Sequence, residues 1–380
     1  MGEIDNSRLI KFYNLLKEPF TSRDIEAHAI VLALLSGEHV ILLGEPGTAK
    51  SALAKRAASL LKARYFQYLM TKYTEPNEIF GPLDVIALRR GEYRRIIQGK
   101  LPSAEIVFLD EIFKANSAIL NTLLTILNER VFYDYYGEIR VPLWTCIGAS
   151  NEVPSETELQ TFYDRFLIRH LVKPVDETMW PSLLRKGLAI ERYGVWGEPV
   201  LTLNEIKEYS NLIYKVNLEH AIPFITKMFS VLEEHGLHLS DRRKVKSLKI
   251  IAANAIFNGR LHVEKEDLET LRFIVPHNIE DFEKVSVILI EELKLKERYK
   301  YIIEEAMRNL RQIEERIDKN IITSAEELRE MLMGIHRTER TLREAKDRIG
   351  DYELSKRMDE ILEYTSKLLR KIESKLGEEH

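Results

Sequence analysis

The sequence predicts an α/β fold, in which a parallel sheet carries helices on both faces and is followed by purely helical regions. Short β-like runs alternate with helical patterns between residues 40 and 172, and this alternation is typical of parallel sheets with crossover helices. The β-like signal ends at about residue 176, and heptad spacing of apolar residues marks the C-terminal region. The runs that we assign to strands are 39–43, 64–69, 106–109, 143–149 and 166–172.

We divide the chain into three predicted domains. Residues 1–175 form the α/β core, which starts with two helices over about 5–37; Thr21 and Asp24 predict a capping box for the second helix, and Gly37 predicts its end. Residues 176–276 form a small helical lid. Residues 277–380 keep heptads that are interrupted near Asn320 and Gly350, which favours a bundle of three antiparallel helices over a long coiled coil.

Composition excludes several classes of protein. The chain has 380 residues, 45% hydrophobic and 31% charged, with a net charge of −4, so no overall attraction to nucleic acid or anionic membrane is expected. No apolar run approaches membrane-spanning length. The single cysteine, Cys146, excludes a disulfide framework and a thiolate metal site. The N-terminus lacks a signal-peptide core, and a cytoplasmic location is the expectation.

The first strand runs into a loop with the layout of a phosphate-binding loop. In such loops, backbone N–H groups and a helix N-terminus face the anion, the lysine reaches the β- and γ-phosphates, and the following hydroxyl binds Mg²⁺. Here those side chains are Lys50 and Ser51. Ala49 stands where a second glycine is expected; its methyl group is tolerable with helical dihedrals, and strained if φ is positive. The predicted nucleotide-binding residues are Gly44, Glu45, Pro46, Gly47, Thr48, Ala49, Lys50 and Ser51.

Two further strands end in polar residues. The strand 106–109 is followed by Asp110 and Glu111, and the carboxyl ends of parallel strands share one edge of a sheet. We expect Asp110 to hold Mg²⁺ and Glu111 to polarise the water that attacks the γ-phosphate; two solvated acids are the alternative. Asn151 follows the next strand and could orient that water, or could cap a turn before Pro154.

Arginines at two places suit stabilisation of charge during phosphoryl transfer. Arg165 lies far along the chain from the phosphate loop and could serve the nucleotide of a neighbouring subunit; Arg169 competes for this role, and a surface ion pair is the alternative. Ser240 predicts the start of a helix. The following Arg242 or Arg243 could report the state of the nucleotide from the helical lid, or could simply belong to that helix.

The order of these motifs resembles that of an AAA+ ATPase, and more narrowly the MoxR family and its RavA branch. The resemblance covers roughly the first 275 residues. The chain differs from the RavA branch after that point, because no β-rich insertion interrupts its heptads. The segments that carry the resemblance are 44–51, 78–83, 101–115, 119–130, 149–154, 163–169 and 239–243.

The resemblance implies a role for each matching residue. Lys50 and Ser51 are Walker A residues and Asp110 and Glu111 form Walker B, so ATP and Mg²⁺ are the implied cofactors. The remaining implied roles are sensor 1 for Asn151, trans-acting finger for Arg165 and sensor 2 for Arg242. The resemblance further implies a homo-hexamer, a protein client and a partner with a von Willebrand A domain.

Two predicted hairpins interrupt the α/β pattern. The hairpin at 85–97 carries cations and turns at Arg90 and Gly91; the hairpin at 131–141 carries aromatic residues. In a ring both could grip a client, and basic residues with aromatics also suit nucleic-acid strands; the alternative is a solvated edge and local packing. The residues concerned are Arg89, Arg90, Arg94, Arg95, Lys100, Phe132, Tyr133, Tyr135 and Tyr136.

The sequence therefore predicts an ATP-hydrolysing AAA+ motor or switch with a chaperone-like role in remodelling or assembling protein complexes. Two other functions stay open. One is a nucleic-acid-associated motor, which the net acidity disfavours. The other is a nucleotide-sensing scaffold with little hydrolysis, which the presence of Glu111, Asn151 and Arg165 disfavours.

Overall fold

A computed structural model describes residues 4–135, 137–293, 295–318, 325–346 and 352–378. Tyr136, Asn320 and Gly350 of the sequence-based predictions lie outside the described residues. The chain divides into two compact units, one up to Val285 and one from Ser286. The first unit holds an α/β core, as predicted, and the second is helical.

The core sheet has five parallel strands in the order β2-β3-β6-β1-β7. The central strand β1 reads Val-Ile-Leu-Leu and is buried throughout, as expected for a parallel strand covered on both faces. A separate antiparallel pair is formed by β4 and β5. The strands are β1 (Val40–Leu43), β2 (Tyr65–Leu69), β3 (Ile106–Asp110), β4 (Val131–Asp134), β5 (Gly137–Arg140), β6 (Thr145–Ser150) and β7 (Ile168–Leu171).

Helices precede the sheet, connect its strands and follow it. Those up to β7 are α1 (Ser7–Lys17), α2 (Asp24–Ser36), α3 (Lys50–Leu60), α4 (Pro76–Phe80), α5 (Val85–Leu88), α6 (Ser117–Glu129) and α7 (Thr157–Tyr163). Those after β7 are α8 (Trp180–Tyr193), α9 (Leu203–Leu212), α10 (Ile222–Glu234), α11 (Asp241–Phe257), α12 (Ile279–Glu292), α13 (Leu295–Asp318), α14 (Ala325–Lys346) and α15 (Tyr352–Glu378).

Helix α2 begins differently from the prediction. Arg23 occupies the N-cap position, and no side-chain cap hydrogen bond is present there, so the predicted Thr21–Asp24 capping box is wrong. The predicted end is confirmed, because Gly37 takes the left-handed conformation with φ +64°. Ten of the thirteen residues of α2 are buried, which makes it an internal helix of the first unit.

The two predicted hairpins have different outcomes. Strands β4 and β5 confirm the second, with Val131 opposite Arg140. The first is not a plain hairpin: the stem pairs Leu83 with Arg95, and its tip is the single-turn helix α5. Asp84 caps that helix by accepting hydrogen bonds from the backbone N–H groups of Ile86 and Ala87, which explains why the β-like run Val85–Leu88 turns into a helix.

The helical unit begins within α12 and contains α13, α14 and α15, whose heptad residues form one core that includes Leu310, Ile335 and Met358. Consecutive helices are antiparallel, since Arg316 near the end of α13 pairs with Glu327 near the start of α14, and Lys346 pairs with Asp359 of α15 in the same way. The expected three-helix arrangement is therefore present. None of the described helices is both long enough and apolar enough to cross a bilayer.

Candidate nucleotide-binding site

Three strand ends meet at one edge of the sheet. Leu43 of β1 is in register with Ser150 of β6, and the backbone N–H of Gly44 donates to the Ser150 carbonyl at 3.0 Å. The neighbouring β3 ends at Asp110. The phosphate loop, the two acids and Asn151 therefore lie at the carboxyl edge of the sheet, where the sequence placed them.

The loop takes a conformation that suits glycine at three positions. Gly44 has φ +138°, and a Cβ there would lie 2.4 Å from the carbonyl oxygen of Val172. Gly47 has φ +82°, and Ala49 has φ +67° and ψ 17°. A non-glycine residue in the left-handed region costs roughly 1–2 kcal/mol. Of the two alternatives for Ala49, the structure shows the strained one.

Lys50 is held inside the loop and is only 7% exposed. Its Nζ donates to the carbonyl oxygens of Gly44 and Glu45, both at 2.7 Å, and lies 3.3 Å from the Thr48 hydroxyl. Burial lowers the pKa of Lys50, while Asp110 and Glu111 act in the opposite direction. The ammonium is thus fixed beside the backbone N–H groups at the start of α3, which is the arrangement that binds a phosphate group.

The acids are placed to complete this site. Burial raises the pKa of Asp110, whose Oδ1 accepts the backbone N–H of Glu111 at 3.1 Å. Glu111 has φ +49° and pairs with Lys114 at 3.2 Å. Ser51 lies in the first turn of α3. A hydroxyl and a carboxylate are hard oxygen ligands of the kind that Mg²⁺ prefers, so these residues fit that ion.

Asn151 directly follows β6 and is exposed at the same edge. A turn fixes its position, because the Ser150 hydroxyl donates to the Glu152 carbonyl at 2.8 Å and accepts the Glu152 backbone N–H at 3.2 Å. The Asn151 amide is therefore available to a ligand at the phosphate loop.

Arg23 contacts the phosphate loop and was missed by the sequence analysis. Its buried Nε donates to the Thr48 carbonyl at 3.1 Å, and its NH1 pairs with buried Glu26 at 3.5 Å. Glu26 lies 3.6 Å from His170 of β7. The sequence held only an indirect signal for Arg23. Helix α2 is mostly apolar and runs antiparallel to β1, so its N-terminus must lie near the carboxyl edge of the sheet.

Arg165 lies at the opposite edge of the sheet. Ile168, the first residue of β7, is in register with Val40, the first residue of β1, and Arg165 precedes it. The paired residues of the two strands span about 10 Å at 3.3 Å per residue. Arg165 is half-buried, and its Nε is buried without a hydrogen-bond partner.

Arg169 is fully engaged within its own subunit. It is 0% exposed, and its guanidinium stacks on the ring of Tyr163 at 3.9 Å. Its NH2 pairs with Asp164 at 3.1 Å, and its NH1 donates to the Pro276 carbonyl at 3.0 Å. Because these partners use its donors, Arg169 is a packing residue and is not placed to reach another molecule.

Arg243 is engaged in the same way and joins the lid to the core. Its NH1 pairs with Asp164 at 3.1 Å, and its NH2 donates to the carbonyls of Leu167 and Ile274 at 2.8 and 2.7 Å. Burial, helped by repulsion from Arg169, lowers the pKa of Arg243 to about 10. Asp164 therefore holds two buried arginines.

Arg242, next in the chain, is exposed. Helix α11 lies antiparallel to α2: Lys246 and Lys249 pair with Glu38 at 2.8 and 3.3 Å, whereas Asn254 lies 2.9 Å from His28. Glu38 marks the amino edge of β1, and α2 is about 20 Å long at 1.5 Å per residue. Arg242 therefore lies at the edge that carries Arg165, away from the phosphate loop of its own subunit.

The cationic insert differs from the prediction in two residues, one of which is Lys100, whose Nζ donates to the Glu78 carbonyl at 2.9 Å. Arg89, Arg90 and Arg94 are exposed, as a ligand-binding surface requires. Arg95 instead anchors the stem, because its NH1 donates to the Asn77 side chain and to the Gly81 carbonyl, both at 2.6 Å. Only the first three therefore remain available to a client or a nucleic acid.

A phosphate loop after β1, two acids after β3 at the same edge of the sheet and a helical lid after the α/β core together define an AAA+ ATPase. The family profile described as "MoxR domain in the MoxR-vWA-beta-propeller ternary systems" matches residues 7–211, and an AAA lid domain profile matches residues 218–289. The first profile covers more than half of the chain. The chain belongs to the MoxR family of AAA+ ATPases.

The similar proteins agree with this assignment. Two uncharacterized proteins of Methanocaldococcus jannaschii are each 38% identical, one over 77% of this chain and 76% of its own length, the other over 73% and 74%. The crystal structure of an inferred ATPase from Cytophaga hutchinsonii has a TM-score of 0.61 at 17% identity, covering 76% of this chain and 93% of that one. At that identity, the last likeness shows the fold alone.

Proposed function

We propose that this chain is an ATP-hydrolysing ring ATPase whose catalytic groups come from two subunits. One observation carries the proposal: the phosphate loop lies at one edge of the sheet, and Arg165 and Arg242 lie at the other. A finger at the far edge cannot serve the nucleotide of its own subunit. It can serve a neighbour, and a closed ring of copies then completes every site.

In this proposal each residue of the site has a separate role. Lys50 and the loop N–H groups bind the β- and γ-phosphates, Glu111 takes the proton of the attacking water, and Asn151 orients that water. Ser51 and Asp110 would hold Mg²⁺, which supplies charge neutralisation at the phosphates when it is bound. Arg165 and Arg242 of the next copy stabilise the charge that develops during transfer.

The partner and the cellular role form the second part of the proposal. The matched profile is named for systems that combine MoxR with von Willebrand A and β-propeller proteins, which supports a partner containing a von Willebrand A domain. A chaperone-like action on protein complexes, the RavA branch, a hexamer and a cytoplasmic location stay predictions.

Steady-state ATPase and nucleotide binding of three proteins test the site. We expect Glu111→Gln to bind ATP normally and to lose turnover by about 10²-fold or more, since it removes only the general base. Lys50→Ala should lose binding itself. Glu129→Gln, which changes an exposed carboxyl at the end of α6, is the matched control and should keep both. Normal turnover by Glu111→Gln would contradict the assignment.

The same ATPase assay distinguishes a motor that acts on a protein client from one that acts on nucleic acid. Single-stranded DNA should leave the turnover unchanged if the client is a protein. Stimulation by DNA that disappears in Arg94→Ala, a change at the exposed insert, would instead support a nucleic-acid motor.

A further inference from the structure

A groove of about 470 Å³ lies between helices α4 and α6 and strand β4; we name it the α6 groove. Two buried aromatic residues, Phe80 and Phe132, contribute to its lining, and their rings stack with centroids 5.7 Å apart. Among the described residues that line the groove, Arg95 alone carries a charge. A concave site of this size, with apolar walls and few polar groups, is typical of small-molecule binding.

The guanidinium of Arg95 has one edge that is available to a ligand. Its NH1 holds the stem of the insert by donating to the Asn77 side chain and to the Gly81 carbonyl, both at 2.6 Å. The edge formed by Nε and NH2 makes no hydrogen bond or ion pair with any residue that the structure describes. Two N–H groups on one edge of a guanidinium bind both oxygens of a carboxylate at once.

The charge next to Arg95 limits the kind of anion that the groove can take. Asp134 Oδ2 accepts the backbone N–H of Arg95 at 3.3 Å, so a negative charge already lies beside the single positive one. A doubly charged phosphate would be repelled by that carboxylate more strongly than a singly charged ligand. The α6 groove therefore suits a carboxylate better than a phosphate.

Helix α6 supplies the opposite kind of polar group. Its lining residues Ala118, Asn121, Thr122 and Thr125 are spaced by three, four and seven, which places them on one face of the helix. The Thr122 hydroxyl donates to the Ala118 carbonyl at 3.0 Å, and the Thr125 hydroxyl donates to the Asn121 carbonyl at 3.4 Å. Because each hydroxyl has only one proton, both oxygens can only accept a hydrogen bond from a ligand.

The length of this face indicates the size of the ligand. From Ala118 to Thr125 the helix rises by about 11 Å at 1.5 Å per residue. An extended chain would cover that length with about three residues at 3.3 Å each. This length favours a small molecule over a longer peptide segment.

We infer that the α6 groove binds a small carboxylate that has an apolar body and carries a hydrogen-bond donor. The carboxylate pairs with the Nε–NH2 edge of Arg95, the apolar body lies against Phe80 and Phe132, and the donor faces the threonine oxygens of α6. None of these residues belongs to the nucleotide site, so the inference does not depend on the proposed function.

Binding of 3-(4-hydroxyphenyl)propionate, measured by saturation-transfer NMR without nucleotide, tests the groove. A ligand of this size is expected to bind with a Kd of about 1 mM. Its neutral amide has the same shape and should bind about tenfold more weakly or worse, because it cannot form the charge-assisted pair with Arg95. Equal binding of the acid and the amide would overturn the inference.

Two tryptophan variants of α6 show whether the molecule binds in the groove. Ala118→Trp fills the groove from an exposed position and should abolish the saturation transfer. Asn128→Trp is the matched control, because Asn128 is exposed on the same helix and does not line the groove. It should bind as the wild type does. Undiminished binding to Ala118→Trp would overturn the inference.

Arg95→Gln should weaken binding by about tenfold or more. This variant also loses the NH1 contacts of the stem, so its unfolding temperature is measured alongside. Ala118→Trp leaves the stem unchanged and decides the question if Arg95→Gln does not fold.

A tripeptide tests the source of the carboxylate. Ala-Ala-Phe carries an aromatic carboxylate end and two more peptide units. Binding no tighter than that of 3-(4-hydroxyphenyl)propionate would support a small molecule. Binding more than about tenfold tighter would show that the groove receives the C-terminus of a partner chain, and would overturn the small molecule as its occupant.

Discussion

The two edges of the central sheet use their charged residues differently. At the carboxyl edge, Lys50 and Arg23 bind loop carbonyls, and the acids stand beside them. At the amino edge, Arg169 and Arg243 are buried against Asp164, while their near neighbours in sequence, Arg165 and Arg242, are not engaged in that cluster. Each available arginine thus has a structural arginine close by in the chain.

This contrast shows how one residue type serves two purposes within a few positions. The buried arginines bind backbone carbonyls of the 163–169 segment, which carries Arg165, and Arg242 directly precedes the buried Arg243 at the start of α11. A finger has to be held in place without using its own donors. Substitutions at the two edges should therefore have different effects on activity and on stability.

The largest effect is expected from the pair Arg165 and Arg169. Arg165→Ala should lower kcat by about 10³-fold or more with little change in the unfolding temperature. Arg169→Met should instead destabilise the protein by about 1–3 kcal/mol, because it leaves the Phe166 and Pro276 carbonyls without their buried donor. Steady-state ATPase and chemical unfolding measure the two quantities.

Mixing provides the control for action in trans. Arg165→Ala and Glu111→Gln chains are each expected to be inactive, and a mixture should recover part of the turnover, since some sites then receive an intact acid and an intact finger. A mixture without recovery would contradict a shared site.

At the other edge, Arg23→Gln should raise KM for ATP by about tenfold with a smaller change in kcat, as a charged hydrogen bond to the Thr48 carbonyl is worth about 1.5–3 kcal/mol. Arg56→Gln is a matched control: Arg56 is a buried arginine of α3 that donates to the Leu15 carbonyl at 2.6 Å and to the Val195 carbonyl at 3.2 Å. It should lower stability and leave KM unchanged. Equal KM values for both variants would show that Arg23 only supports the fold.

The ion pairs of Glu38 with Lys246 and Lys249, which we name the Glu38 clamp, hold the helix that carries Arg242. The stabilisation that this clamp provides should depend on pH. Burial disfavours the carboxylate, but attraction to Lys246 and Lys249 outweighs it and lowers the pKa of Glu38. The stabilisation is therefore complete above the ordinary glutamate pKa of 4.5 and is lost as the pH falls below it. Glu38→Gln should cost about 1–2 kcal/mol at neutral pH, and the difference from wild type should shrink in acid unfolding curves.

The smallest effect concerns Ala49. Ala49→Gly removes the strain of a left-handed alanine, which stabilises the folded state by roughly 1–2 kcal/mol. It also raises the chain entropy of the unfolded state, which destabilises the protein by about 0.4–1 kcal/mol. A net gain of about 0.5–1 kcal/mol is expected in chemical unfolding. A loss of stability would mean that the Ala49 methyl group makes contacts that outweigh its strain.

The site residues at the carboxyl edge of the sheet could be predicted from the sequence, whereas those at the amino edge could be predicted only in part. Strand periodicity and the polar residue after each strand locate Lys50, Asp110, Glu111 and Asn151, because these residues are close to strand ends. The separation of Arg165 from Arg169 depends on the contacts that engage Arg169, of which the one with Asp164 is local but the one with Pro276 is made across a long stretch of chain. Periodicity does not report such long-range contacts. The helical tip at Val85–Leu88 was missed for a different reason, because the local Asp84 cap outweighs the β preference of the run.

The shared carboxylate of Asp164 has a mechanical consequence. Its ion pairs with Arg169 and Arg243 connect the end of α7 to β7 and to the start of α11. The ion pair of Lys246 with Glu38 connects α11 in turn to the end of α2. At the far end of α2, Arg23 touches the phosphate loop. If the proposed function holds, a small shift of the phosphate loop between the ATP and ADP states would reach Arg165 through these contacts, and hydrolysis in one subunit would change the position of the arginine that this same subunit offers to its neighbour.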